Sequence, residues 1–169
     1  TPFRSDMPPS QLHWLIAGHG KAITVEATRD GLHIYSNPVG VLTNNPPFDF
    51  HRFNLQHYAG LSPQVPLNRF APELELGTYS RGMGAIGLPG DSSSASRFVR
   101  AAFALGSAPK DTDEFTALEE FFRLADCVSV PRGCVRVENG DVITRYVHPD
   151  AVTGGSFWAS WCNITEIGA

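Results

Sequence analysis

Cysteine is scarce in this chain: Cys127, Cys134 and Cys162 are the three in 169 residues. An odd count at irregular spacing is not a disulfide framework, and with no C-x-x-C it is not a zinc pattern either. A reducing compartment follows as the expectation. The six histidines, His13, His19, His33, His51, His57 and His148, show neither HExxH nor HxxxH spacing, so no metal ligand set is read from them. Positive charge is also lacking: 13 Lys and Arg stand against 17 Asp and Glu, for a formal net charge of −4. The signs are interspersed, and a chain with no basic patch is not expected to bind nucleic acid. No apolar run approaches the roughly 18 residues that a membrane helix requires, so no membrane association is expected. No internal repeat is evident. The chain opens without Met on a turn-rich piece, TPFRSDMPPS, from which a fragment or processed product is expected.

What is present is the composition of a folded domain. Hydrophobic residues make up 42% and charged residues 18%, which separates the chain from disordered sequences. Its length fits a single domain over residues 1–169. After the loop Thr1–Ser10, the nearly continuous apolar run LHWLIA (Leu12–Ala17) reads as a strand covered on both faces. Gly18-His19-Gly20 marks a turn into Ala22–Thr28. There Ile23, Val25 and Ala27 alternate with Thr24, Glu26 and Thr28, and the apolar set is assigned to the core. Asp30-Gly31 is a second turn, and Leu32–Ser36 and Val39–Thr43 are two further short strands. The last runs into Asn44-Asn45 and a double proline, which presents an amide side chain at one fixed point.

Phe50–Tyr58 reads as a short helix with Phe50, Phe53, Asn54 and His57 on one side. A proline-rich loop and the glycine-dense run Gly82–Gly90 follow. Ser92–Leu105 is the clearest helix. Asp91 or Ser92 is its candidate cap, and Ala95, Phe98, Val99, Ala102 and Phe103 are its apolar stripe. A second helix over Asp113–Cys127 has Phe115, Leu118, Phe121, Phe122 and Ala125 as its stripe, with Asp111 and Glu114 as a capping box. Asn139-Gly140 centres a hairpin over Cys134–Thr144, and Phe157–Ile167 is a last strand. Strands, then helices, then strands point to an α+β fold rather than a parallel βαβ sheet.

Three motifs carry chemistry only in a particular context. Gly82, Gly84 and Gly87 form a G-x-G-x-x-G, but no helix opens on it and Pro89-Gly90 follow, so a loop beside a pocket is preferred to a dinucleotide site. Gly90-Asp91-Ser92 is similar to the GDS of serine hydrolases, yet helix capping accounts for it, and Ser92 is the weaker nucleophile candidate. Asn163-Ile164-Thr165 matches a glycosylation sequon, a common chance pattern. On periodicity alone Arg97 and Arg100 lie on the solvated side of their helix, and Asn44 is a turn residue.

The segments LHWLIA, NPVGVLTNNPPFDFHRFNL and RGMGAIGLPGDSSSASRFVRAAF resemble the choloylglycine hydrolases, the bile salt hydrolases and their penicillin V acylase relatives. The likeness runs in order from Gln11 to Val137 and is nearer to the bile salt hydrolase branch; the tail beyond Ile143 departs from it. The resemblance implies part of an αββα N-terminal nucleophile (Ntn) hydrolase sandwich with antiparallel sheets. It implies hydrolysis of a linear amide, the bond joining a steroid acid to glycine or taurine, with no cofactor and no metal. A cysteine at the mature N-terminus would attack, with its own α-amine as base, a group whose ordinary pKa of about 7.7–8.0 suits proton transfer near neutrality. By the same resemblance Asn44 is an oxyanion donor and Arg97 lies beside the cysteine sulfur, which overrides the solvated reading of Arg97. Tyr79, Arg81 and Met83 would lie near the substrate mouth. Arg100 matches no family role and keeps the solvated reading.

The expectation is therefore a C-terminal portion of a longer enzyme, bacterial and cytoplasmic, acting on a conjugated bile acid as a small-molecule partner and assembling as a homo-oligomer, a tetramer, at full length. Cys127, Cys134 and Cys162 are internal and offer no α-amine beside the thiol, so this polypeptide alone is expected to be inactive. Thr1 is the N-terminal nucleophile alternative, weakened by Pro2. Penicillin V or acyl-homoserine-lactone acylase activity is the alternative within the family. A non-catalytic fragment that binds small acids is the alternative outside it.

Overall fold

Two glycine turns set the sheet. The computed structural model describes residues 13–18, 20–109 and 113–129, and in it β1 (His13–Gly18), β2 (Lys21–Thr28) and β3 (Gly31–Ser36) form an antiparallel meander with β2 in the middle. Trp14 pairs with Val25 and Val25 with Ile34; Leu15 pairs with Thr24 and Thr24 with Tyr35. The β2–β3 turn places Gly31 at φ 139°, a conformation that a side chain would strain. Thr28 Oγ1 closes the same turn by donating to the Asp30 carboxylate. The hairpin over 134–144, the strand over 157–167, the loop 1–10, His19, His148, Cys134 and Cys162 lie outside the described residues.

Which face of the sheet turns inward differs from expectation. Thr24 and Glu26 are buried, while Trp14, Ile16, Ile23, Leu32 and Ile34 are exposed. The described part of LHWLIA, His13 to Ala17, is therefore covered on one face only, through Leu15. Hydrogen bonding explains the inversion. Asn37 Nδ2 donates to Thr24 Oγ1 at 2.9 Å, and both Glu26 oxygens accept the Phe48 N–H, at 3.1 and 3.0 Å. Pairing of this kind offsets the cost of desolvating buried polar groups.

Val39–Thr43 is not a strand. Asn37 takes over the bonds a ladder would use: its Nδ2 donates to the Val41 carbonyl at 2.8 Å and its Oδ1 accepts the Gly40 N–H at 2.9 Å. Local side-chain bonds of this kind compete with sheet pairing. Val41 and Leu42 still enter the core as an irregular segment.

The first helix begins earlier than its sequence suggests and turns its other side inward. It comprises α1 (Phe48–Asn54) and a 3₁₀ turn, Leu55–Tyr58. Phe48 and His51 are buried, whereas Phe50 and Phe53 are exposed. The clear helix is α2 (Ser94–Ser107), capped by Ser93, whose side chain accepts the Ser96 N–H. Asp91 supports the cap from outside: it accepts the Ser93 N–H at 2.9 Å and the Ser96 hydroxyl. These bonds from Ser93 and Ser96 pull the Asp91 pKa down to about 2. In α3 (Glu114–Asp126) the cap is Asp113, which accepts the Thr116 N–H at 3.0 Å and its hydroxyl at 2.7 Å; Asp111 lies outside the described residues. Leu124, Ala125 and Val128 bury the C-terminal end, while Phe115 and Leu118 remain exposed. The core joins Leu15, Val41, Leu42, Phe48, Phe98, Ala101, Ala125 and Val128 on one side of the sheet.

Candidate active site

Asn44 ends the irregular segment and Arg97 begins the second turn of α2. Sequence periodicity put Arg97 in solvent, but it is only 9% exposed and Asn44 7%. Arg97 Nη2 donates to Asn44 Oδ1 at 2.8 Å, across 53 residues of chain. Arg97 Nη1 donates to the Ser92 carbonyl at 2.8 Å. Arginine carries its charge at any ordinary pH and offers a planar fork. Two bonded corners of that fork fix its plane, and the bond to Oδ1 fixes the amide rotamer, so that Nδ2 is the donor end. A cation on Oδ1 also polarises the amide and strengthens Nδ2–H as a donor.

The backbone of Asn44 is held as firmly as its side chain. Its carbonyl oxygen accepts from Ser94 Oγ at 2.7 Å and lies 2.9 Å from His51 Nε2. Thr43 Oγ1 donates to the Ser94 carbonyl at 3.1 Å and lies 3.3 Å from the same His51 nitrogen. The His51 ring stacks on Phe98 with centroids 4.7 Å apart and an angle of 8°. Sequence reasoning missed His51, Thr43, Ser94 and Glu26. The only local signal was polar residues recurring at core-facing positions, and its meaning depended on partners far away in sequence.

Burial holds the His51 pKa below the ordinary histidine value. For Glu26, burial acts upward, but the bonds from His13 and the Phe48 amide outweigh it and the pKa lies below the ordinary value. His13 Nδ1 stands 3.5 Å from Glu26. The carboxylate therefore meets the start of α1 as an anion, where N–H groups and dipole favour negative charge.

The remaining candidates are arranged differently. Tyr79 and Arg81 are exposed, and Met83 is half-buried with its sulfur accepting the Tyr79 N–H at 3.3 Å, a contact within the loop. Gly84 explains part of the glycine density: a Cβ there would lie 2.2 Å from the Pro63 carbonyl oxygen. The neighbouring Ala85 N–H bonds Ser62 O at 2.8 Å. Gly84 thus lets one loop backbone pack on another, and no helix opens on the run. Arg100 is not solvated as expected. Its Nε donates to Cys127 O at 2.7 Å and its Nη1 to Pro89 O and Asp91 O at 3.0 and 2.6 Å, tying the end of α3 to the glycine-rich loop. The Cys127 thiol is pushed up by burial, the opposite of an activated nucleophile. Among the described residues no cluster of His, Cys, Asp or Glu is placed to hold a metal ion, and no helix is long and apolar enough to cross a membrane.

A profile of the linear amide C–N hydrolases, choloylglycine hydrolase family, matches residues 4–167. The chain belongs to the choloylglycine hydrolase family. It is 46% identical over 138 residues to a bile salt hydrolase/transferase of Lactiplantibacillus plantarum, covering 82% of this chain and 43% of that one. It is 37% identical over 175 residues to a bile salt hydrolase/transferase of Clostridium perfringens, covering 99% and 52%. The crystal structure of a mutant conjugated bile acid hydrolase from Clostridium perfringens superimposes with a TM-score of 0.67 at 35% identity, over 84% of this chain and 44% of that one. The chain thus spans about half the length of these curated relatives. Its α+β fold, one antiparallel sheet under a layer of helices, is part of the Ntn hydrolase fold of those structures.

Proposed function

We propose that residues 1–169 are the C-terminal portion of a cytoplasmic bile salt hydrolase that cleaves the amide between a steroid acid and glycine or taurine. The observation that carries this reading is the buried 2.8 Å bond from Arg97 to Asn44 Oδ1. It turns an asparagine at the end of an irregular segment into a preorganised donor. Asn44 Nδ2–H meets the oxyanion as the carbonyl becomes tetrahedral, and donors fixed before the reaction cost no reorganisation during it. The Arg97 charge favours the thiolate of a cysteine supplied by the N-terminal portion of the parent protein. That cysteine's own α-amine moves the proton, and no cofactor takes part. Tyr79, Arg81 and Met83 contact the substrate from their loop, and the parent assembles as a homo-oligomer. The relatives' names and the SRFVRAAF stretch favour bile salts over penicillin V.

The test is side-by-side assay of the full-length protein on glycocholate, taurocholate and penicillin V. Glycine or taurine release is expected to dominate, and Asn44→Ala is expected to lower kcat by about 10²–10³-fold, as for other single oxyanion donors. Preferential cleavage of penicillin V would overturn the bile salt reading. Glycine or taurine release by the purified 169-residue chain would overturn the assignment of the nucleophile to another segment.

A further inference from the structure

We propose that His51 is a positioning residue for this reaction, holding the Asn44 main chain so that the amide donor stays on the oxyanion. The inference rests on the amidase reading above. His51 is wholly buried, and its Nε2 lies 2.9 Å from the Asn44 carbonyl. A carbonyl oxygen only accepts, so Nε2 carries the hydrogen. Ser94 Oγ–H takes a second bond to the same oxygen at 2.7 Å. One donor comes from α1 and the other from α2, so the carbonyl locks the two helices to the residue that carries the donor. Arg97 and Phe98 follow Ser94 on α2. Arg97 grips Asn44 Oδ1, and Phe98 stacks on the His51 ring at 4.7 Å. Main chain and side chain of Asn44 are thereby clamped by one connected set of contacts.

The other ring nitrogen identifies what the imidazole is for. Nδ1 is buried and forms no hydrogen bond of good geometry among the described residues, although the Pro46 carbonyl lies near enough to the ring to favour its protonated form. A phenylalanine would fill the same space against Phe98 without that orphaned acceptor. The cost of burying Nδ1 is offset only where Nε2 does something that a hydrocarbon ring cannot. The titratable and charged groups around it are His13 on β1, Glu26 on β2 and Arg97 on α2. Burial keeps the ring neutral near pH 7 against the pull of Glu26.

The decisive comparison is His51→Phe with His51→Gln in the full-length protein. Phe keeps the stack and loses the donor; Gln places an amide N–H near the position of Nε2. With a misplaced reacting group costing about 10²-fold, His51→Phe is expected to lose about that factor in kcat with KM within twofold. His51→Gln is expected to recover to within about tenfold of wild type at equal or lower thermal stability. Wild-type kcat in His51→Phe, or losses in both variants that follow their melting temperatures, would overturn the proposal. A wild-type protein with no amidase turnover would sink the functional reading, and the imidazole ¹⁵N shifts would then decide the geometry alone. At pH 8, where the ring is neutral, an Nε2–H tautomer supports the hydrogen bond and an Nδ1–H tautomer overturns it.

Discussion

The two faces of the β1–β3 sheet are built on opposite rules. The face toward the helices carries Leu15 among polar side chains: Thr24, Glu26, and beside them His13, His33 and Tyr35. The other face carries Trp14, Ile16, Ile23, Val25, Leu32 and Ile34, most of them exposed. A monomeric domain with a single core would show the reverse. The polar face is closed because its polar groups are spoken for, by Asn37 and by the start of α1. The apolar face is the one an αββα sandwich assigns to a second sheet. The sheet is expected to act as a partition, its exposed apolar side meeting a second sheet in the full-length protein while its polar side lies under the helices.

Three experiments break or sharpen this contrast. The largest effect belongs to the helix-covered side. Phe98 is fully buried, packed edge-on to Phe48 and face-on to His51. Phe98→Ala is expected to cost about 3–5 kcal/mol in urea unfolding; a cost no larger than that of a surface substitution would mean that the covered face is not the core. Next comes a paired substitution across the sheet. Glu26→Ala strands the buried Phe48 N–H and is expected to cost about 1–3 kcal/mol. Ile34→Thr, at a site 65% exposed on the open face, is expected to stay within about 0.5 kcal/mol in this chain. In the full-length protein a second sheet over that face would raise the Ile34→Thr cost to core values, and equal costs in the two proteins would refute the partition.

The smallest effect lies at the edge of the covered side, in the α2 cap. Asp91 has its folded pKa lowered to about 2 by the bonds from Ser93 and Ser96. A depressed carboxylate contributes stability above its unfolded pKa of about 3.9, and that contribution is lost as pH falls through the folded value. Asp91→Asn is therefore expected to flatten stability between about pH 4 and pH 2 and leave its slope above pH 5 unchanged. An unchanged acid limb, followed by circular dichroism, would show that the cap does not need the charge.

How much of this was legible follows the range of the interactions. The turn at Asp30-Gly31 and the helix over Ser94–Ser107 were readable because their determinants lie within a few residues of one another. The end residue of a cap was less so: Ser93 and Asp113 cap where Asp91 or Ser92 and Asp111 were expected. Among three serines and an aspartate in sequence, only backbone geometry selects the one that is extended. Val39–Thr43 has the composition of a strand, and Asn37 keeps it from being one by bonding locally to Val41 and Gly40. Arg97 and Arg100 share a polar-looking helix position, but both find carbonyl partners inside the fold. Asn44 and Arg97 were singled out through the likeness to the choloylglycine hydrolases, not through periodicity. His51 carried no local sign that set it apart, since a lone polar residue on the inner side of a short helix is ordinary.

The sequence by itself determined the alternation along β2, the reversals at glycine, the capped helices and the family to which the chain belongs. Each of these is written in residues close together in the chain or in stretches long enough to compare. Only the tertiary structure decided which side of the alternation faces inward, and that Asn44 is gripped at once by His51, Ser94 and Arg97. Burial is a property of what packs on top, and an alternating strand offers two faces without saying which will be covered. Here hydrogen-bond partners from Asn37 and Phe48 made the polar face the inner one.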